Sequence, residues 1–93
     1  MIRSFRCPET ERIFRRERSQ TLPVDIQRTA LRKLLLIHAA VGLDDLRVPP
    51  GNRLEALRGD RAGQHSVRIN DRWRICFVWR DGAADNVEIV DYH

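Results

Sequence analysis

Six residues of this 93-residue chain are of the types that metal-free phosphodiester cleavage needs: Glu55, Arg58, Arg74 and the last three, Asp91, Tyr92 and His93. In that reaction a 2′-hydroxyl loses a proton and attacks its own phosphate. Negative charge gathers in the transition state, and the departing 5′-oxygen takes up a proton. Histidine titrates near ambient pH and suits both transfers. An arginine, with a pKa above about 12, is a poor proton donor but a fixed stabiliser of a crowded phosphate. A tyrosine stacks on a base or hydrogen-bonds a phosphate. Residue types alone do not show that these side chains converge. Each has a plain alternative: Glu55 as a solvated strand carboxylate, Arg58 and Arg74 as surface arginines. Chain ends fray, so an acid, a phenol and an imidazole at a terminus call for elements that hold it down.

Several such elements are legible. IRSFR at 2–6 alternates and is short enough for one strand. Pro8, with Glu9 and Glu11 after it, marks a helix start. That helix is expected over about 8–18, with Ile13 and Phe14 as its large apolar residues and Arg12, Arg15, Arg16 and Arg18 as a basic ridge. Thr21-Leu22-Pro23 and Asp25 open a second helix from Val24 to Val41, with Leu31, Leu34, Leu35, His38 and Val41 on one apolar face. His38 on that stripe reads as a packed, hydrogen-bonded core residue rather than a catalyst. LDDLRVPPGN is a loop.

The remainder has strand character. RLEAL at 53–57 is ambiguous, whereas QHSVRI at 64–69 places Val67 and Ile69 on one face, Ser66 and Arg68 on the other. In RWRICFVW the aromatic side holds Trp73, Ile75, Phe77 and Trp79, and the opposite side holds Arg74, Cys76, Val78 and Arg80. Asn70-Asp71 and Asp81-Gly82 are hairpin signals, and NVEIVDY closes the set with Val87 and Ile89 inward. The fold class is α+β, β-α-α-β-β-β(β), one domain over 1–93, with two N-terminal helices on one face of a small, mainly antiparallel sheet. Arg74 and Arg68 then project from the other, open face, as a platform for a phosphate backbone.

Charge points the same way. The net charge is +4, and of seventeen cations only Lys33 is a lysine. Arginine offers a planar fork of donors matched to phosphate, although a GC-rich genome would also favour it. A basic body favours polyanionic partners. No run nears the roughly 20 apolar residues of a membrane span. MIRSFRCPETER lacks an apolar leader region, so a cytoplasmic chain without membrane contact is expected. Cys7 and Cys76 lie far apart and read as reduced thiols. With three histidines at unhelpful spacings, one of them the unassigned His65, no metal or other cofactor is expected. GDRAG at 59–63 is a loop, not a Gly-rich phosphate cradle.

IRSFR, LEALRGDRAGQHSVRINDRWRICF at 54–77 and the terminal VEIVDYH together resemble HigB-type toxins of the RelE/ParE superfamily, in order and along essentially the whole chain. The resemblance implies a compact toxin that cleaves mRNA in the ribosomal A site. It implies a helix-turn-helix antitoxin of the HigA type, through which alone operator DNA would be bound. It assigns Arg58 and Arg74 to phosphate and transition-state contacts, and Asp91, Tyr92 and His93 to cleavage. Arg12, Arg15, Arg16, Arg18, Arg61 and Arg68 are the expected RNA and ribosome contacts. A histidine is usual where this chain has Glu55, so Glu55 and His93 are left to share the acid and base roles. Two other readings stand beside this one: a non-catalytic gyrase inhibitor of the ParE kind, and a corepressor acting with the antitoxin.

Overall fold

The computed structural model describes residues 1–92; His93 lies outside the described residues. Two helices, α1 (Pro8–Phe14) and α2 (Val24–Ala39), precede four strands: β1 (Glu55–Ala56), β2 (His65–Arg68), β3 (Trp73–Arg80) and β4 (Ala83–Asp91). The strands form one antiparallel sheet in the order β1-β2-β3-β4. Asp81 and Gly82, both at positive φ (53° and 75°), make the two-residue turn between β3 and β4. The β2–β3 turn is wider, and Asn70 Oδ1 accepts the N–H groups of Arg72 and Trp73.

The expected N-terminal strand is reduced to two parallel bridges, Ile2 to Ala84 and Phe5 to Val87. The cause is a bulge in β4: Asn86 takes a left-handed φ of 54°, and the register with β3 slips between Cys76 and Val78. The extra residue gives its N–H to the Ser4 hydroxyl at 2.9 Å. Further along, Ile89 N–H reaches the Thr10 hydroxyl at 3.0 Å. The exposed edge of β4 is thus covered by the start of the chain.

Helix α1 ends at Phe14 rather than near 18. No apolar residue follows Phe14 to extend its buried face, and Arg16 turns into the left-handed region at φ 65°. The basic ridge therefore spans a helix and a loop. Ser19 ties that loop down: its hydroxyl donates to Glu9 Oε1 at 2.7 Å, and its backbone exchanges bonds with Gln27 of α2.

Helix α2 buries Ile26, Ala30, Leu34 and Ile37, a line rotated from the expected one. Small Ala30 lies on the buried line, and Leu35 lies at the rim; the helix stops at Ala39 rather than at Val41, which lies beyond it and is 84% exposed. His38 is exposed and not a core residue; its Nδ1 accepts the Ile2 N–H at 3.0 Å and its ring meets Phe14 edge-on. Against this helical layer the sheet presents Val67, Ile69, Ile75, Phe77, Val87 and Ile89, all buried. No helix among the described residues is long and apolar enough to cross a membrane.

Candidate active site

Directly paired residues in an antiparallel sheet share a face. Registers Glu55–Ser66, Ser66–Cys76 and Cys76–Glu88 therefore lay one row across the face turned away from the helices. Arg68, Arg74 and Val90 form the next row. This face is less open than its alternation suggests. Segment 53–64 and Tyr92 fold over it, leaving Ser66 and Cys76 fully buried and Arg74 8% exposed.

Arg74 is the centre. A guanidinium taken out of water must have its donors matched. Its Nε donates to the Ser66 hydroxyl at 2.8 Å and one terminal nitrogen donates to the Arg53 carbonyl at 2.6 Å. The same nitrogen lies 3.9 Å from Glu55 Oε1. Among the described residues Nη1 has no hydrogen-bond partner, which leaves it for a ligand oxygen. The Tyr92 ring lies 5.9 Å from the guanidinium carbon and is 46% exposed. Positive charge, carboxylate and phenol thus meet at the rim of one pocketed guanidinium.

The Arg53 carbonyl is there for reasons traceable to LDDLRVPPGN. Asn52, buried, donates from Nδ2 to the carbonyls of Leu46 and Val48 and so closes the loop on itself. Its Oδ1 accepts from the Lys33 ammonium of α2. Burial lowers the Lys33 pKa, with help from the nearby positive charges of Arg32 and Arg68. Past this anchor the chain turns through Arg53 at φ 44°, a left-handed residue.

Around the centre Arg6, Arg61 and Arg68 carry ion pairs. Arg61 donates to Glu88 Oε1 at 2.8 Å and to Gln64, and the bond to Glu88 raises its pKa. Arg6 stands 3.8 Å from the other oxygen of Glu88. Arg68 pairs with Asp71. Arg58 is exposed at the start of a short turn over Gly59–Arg61. Cys76 is a free thiol whose pKa is pushed up, first by its burial, so it stays protonated and fills space.

The sequence matches, over residues 3–93, the family described as the RelE-like toxin of the type II toxin–antitoxin system HigB. The chain belongs to this family of HigB-type toxins. Toxin HigB-1 of Vibrio cholerae (serotype O1, strain El Tor Inaba N16961) is 43% identical over 70 residues, 75% of this chain and 74% of that one. Endoribonuclease HigB of Proteus vulgaris is 31% identical over 100% of both chains. In fold the chain resembles the YoeB–YefM complex from Staphylococcus aureus, with a TM-score of 0.61 at 14% identity, covering 100% of this chain and 98% of that one. The RelE-like α+β architecture read from the sequence is the one observed.

Within this HigB-type toxin, the expected site residues are distributed unevenly. Glu55, Arg74 and Tyr92 come together. The Asp91 side chain does not join them: it pairs opposite Trp73, on the other parity of β4, and takes the Arg72 guanidinium at 2.7–3.0 Å. Arg72 also accepts the Tyr92 N–H on its carbonyl at 2.7 Å, so Asp91 and Arg72 hold the strand end that carries Tyr92. The assignment of His93 falls outside the described residues. Of the ridge, Arg12 pairs with Glu9 and Glu17 and Arg15 with Glu11. Sequence reasoning passed over Ser66, the Arg53 carbonyl and Glu88 as parts of the site. Alternation put Ser66 and Glu88 on the right face, but only the register places them beside Arg74 and Arg61.

Proposed function

We propose that this HigB-type toxin is an endoribonuclease that cuts mRNA in the ribosomal A site without a metal. A HigA-type helix-turn-helix antitoxin, encoded beside it, neutralises it and alone brings it to operator DNA. The observation that carries the reading is the Arg74 guanidinium, seated by Ser66 and Arg53, with Glu55 and Tyr92 at its rim. The Proteus vulgaris relative, named an endoribonuclease, supports it.

In this reading the steps run as follows. Glu55, more than half exposed beside Arg74, takes the proton of the 2′-hydroxyl. The 2′-oxygen bonds to phosphorus, the bond from phosphorus to the 5′-oxygen breaks, and a 2′,3′-cyclic phosphate and a 5′-hydroxyl result. Arg74 Nη1 donates to the non-bridging oxygens where charge develops, from a seat that needs no rearrangement. Proton return to the 5′-oxygen is the part of His93. Tyr92 stacks on the base next to the scissile bond, and Arg58 meets a flanking phosphate. A chain this small has little surface with which to fix a flexible strand in line for attack. Ribosomal RNA supplies the rest of the positioning, and Arg12, Arg15 and Arg68 dock on it.

Primer extension on a translated message tests this. New 5′ ends within codons, only when ribosomes are present, are expected. Intact message together with arrested growth would reject cleavage and move the chain to the non-catalytic inhibitors.

A further inference from the structure

A groove of about 300 Å³ lies between the end of α1, the loop after it and the first half of α2. Its floor is Ile13 and Leu31, and its rim carries Arg16, Arg18, Arg28 and Glu17. No strand residue lines it, and it shares no residue with the Arg74 cluster. Beside the groove, Val24 and Leu35 share one face of α2 with Arg28 and Leu31, at i, i+4, i+7 and i+11. Val24 is 63% exposed and Leu35 37%.

We propose that the antitoxin docks here, through an acidic segment that places one large apolar side chain between Ile13 and Leu31 and sets carboxylates against Arg16, Arg18 and Arg28. The proposal rests on the reading of the chain as a toxin neutralised by a partner. Charge complementarity selects an acidic occupant, because the rim bears three arginines against one glutamate. That glutamate, Glu17, is itself within 3.7 Å of Arg12. The apolar floor and the neighbouring Val24 and Leu35 select a protein over RNA. A phosphate backbone has nothing to put on them, and it would meet the Glu17 carboxylate. The i, i+4, i+7 spacing fits an amphipathic helix laid along α2.

Calorimetric titration of the purified toxin with its antitoxin tests this, using wild type, Arg28→Glu, Arg28→Lys and Val24→Asp. Both positions are exposed, and an unchanged melting temperature certifies the fold. Arg28→Glu and Val24→Asp should each weaken the complex about tenfold or more, whereas Arg28→Lys stays within about threefold. Affinity unchanged by the first two variants overturns the proposal. So does a loss of ribosome binding by Arg28→Glu with antitoxin affinity kept, which would make the groove an RNA dock. A wild-type chain that cuts mRNA but binds no antitoxin also overturns it, while sparing the nuclease reading. A chain that cuts nothing yet shows the expected affinity pattern keeps the docking site and removes the nuclease.

Discussion

Replacing Ser66 by alanine deletes one oxygen and takes away half of the seat that holds Arg74. Neither partner is open to water, with Ser66 at 0% and Arg74 at 8% exposure, so water cannot step in. A hydrogen bond to a charged group contributes about 1.5–3 kcal/mol, and a donor left unmatched keeps its desolvation cost. A loss of about 2 kcal/mol lowers the Tm of a domain this size by about 10 °C. The guanidinium keeps its charge and its bond to the Arg53 carbonyl at 2.6 Å, so the chemical step loses alignment rather than charge. A rate loss of about tenfold is expected, close to 1.4 kcal/mol, against about 100- to 1000-fold for Arg74→Ala. On the Arg74→Ala background the serine change should lose most of its effect on stability, a coupling of about 1.5 kcal/mol. Thermal melts of the four proteins read the stability cycle, and single-turnover cleavage on programmed ribosomes reads the rates. A Ser66→Ala protein that melts within about 2 °C of wild type and cuts at the wild-type rate would refute the reasoning. Strict additivity in the double variant would refute it equally.

Arg72→Ala and Asp91→Ala should each slow cleavage by a similar factor, on the order of tenfold, and the double variant should be no worse; abolition by Asp91→Ala alone in the single-turnover assay would give that carboxylate a direct role. Asp85 is held below its ordinary 3.8, chiefly by the bond from Arg3. A carboxylate depressed by folding contributes stability that is full above its unfolded value and lost as pH falls through the folded one. Asp85→Asn should therefore lower stability at neutral pH and flatten the acid limb of a pH melt below about pH 4. Replacing Arg12 and Arg15 by alanine should weaken ribosome binding and reduce the slope of log affinity against log salt by about one for each arginine that meets a phosphate; filter binding over a salt series reads this directly.

The β3 strand and its two faces were plain in RWRICFVW, because alternating aromatic and basic residues leave one arrangement against a helical layer. The Asp81-Gly82 turn was as plain, since few residue pairs accept positive φ twice in succession. Less visible was how α2 would roll. Leucine is common all around that helix, and Ala30, not the leucines, decides which line sits against the sheet. The N-terminal strand was disrupted by Asn86, a bulge four residues past the turn that nothing in the N-terminal sequence announces. At the candidate site, residue types pointed to Arg74 and Tyr92, and alternation placed Arg74 on the correct face. They did not foresee that Arg74 would be buried, because its cover is segment 53–64 and Tyr92, and the start of that segment is set by the loop that Asn52 closes. Nor did DYH as a motif reveal that consecutive residues of a strand face opposite ways, which sends Asp91 to Arg72 while Tyr92 turns to Arg74.

The most direct test of the central claim is single-turnover cleavage of ribosome-bound mRNA by wild type and Arg74→Ala over a range of toxin concentrations. A guanidinium that acts in the transition state makes the variant's maximal rate about 100- to 1000-fold lower, with half-saturation within about threefold of wild type. Equal maximal rates, or a loss confined to half-saturation, would contradict that role.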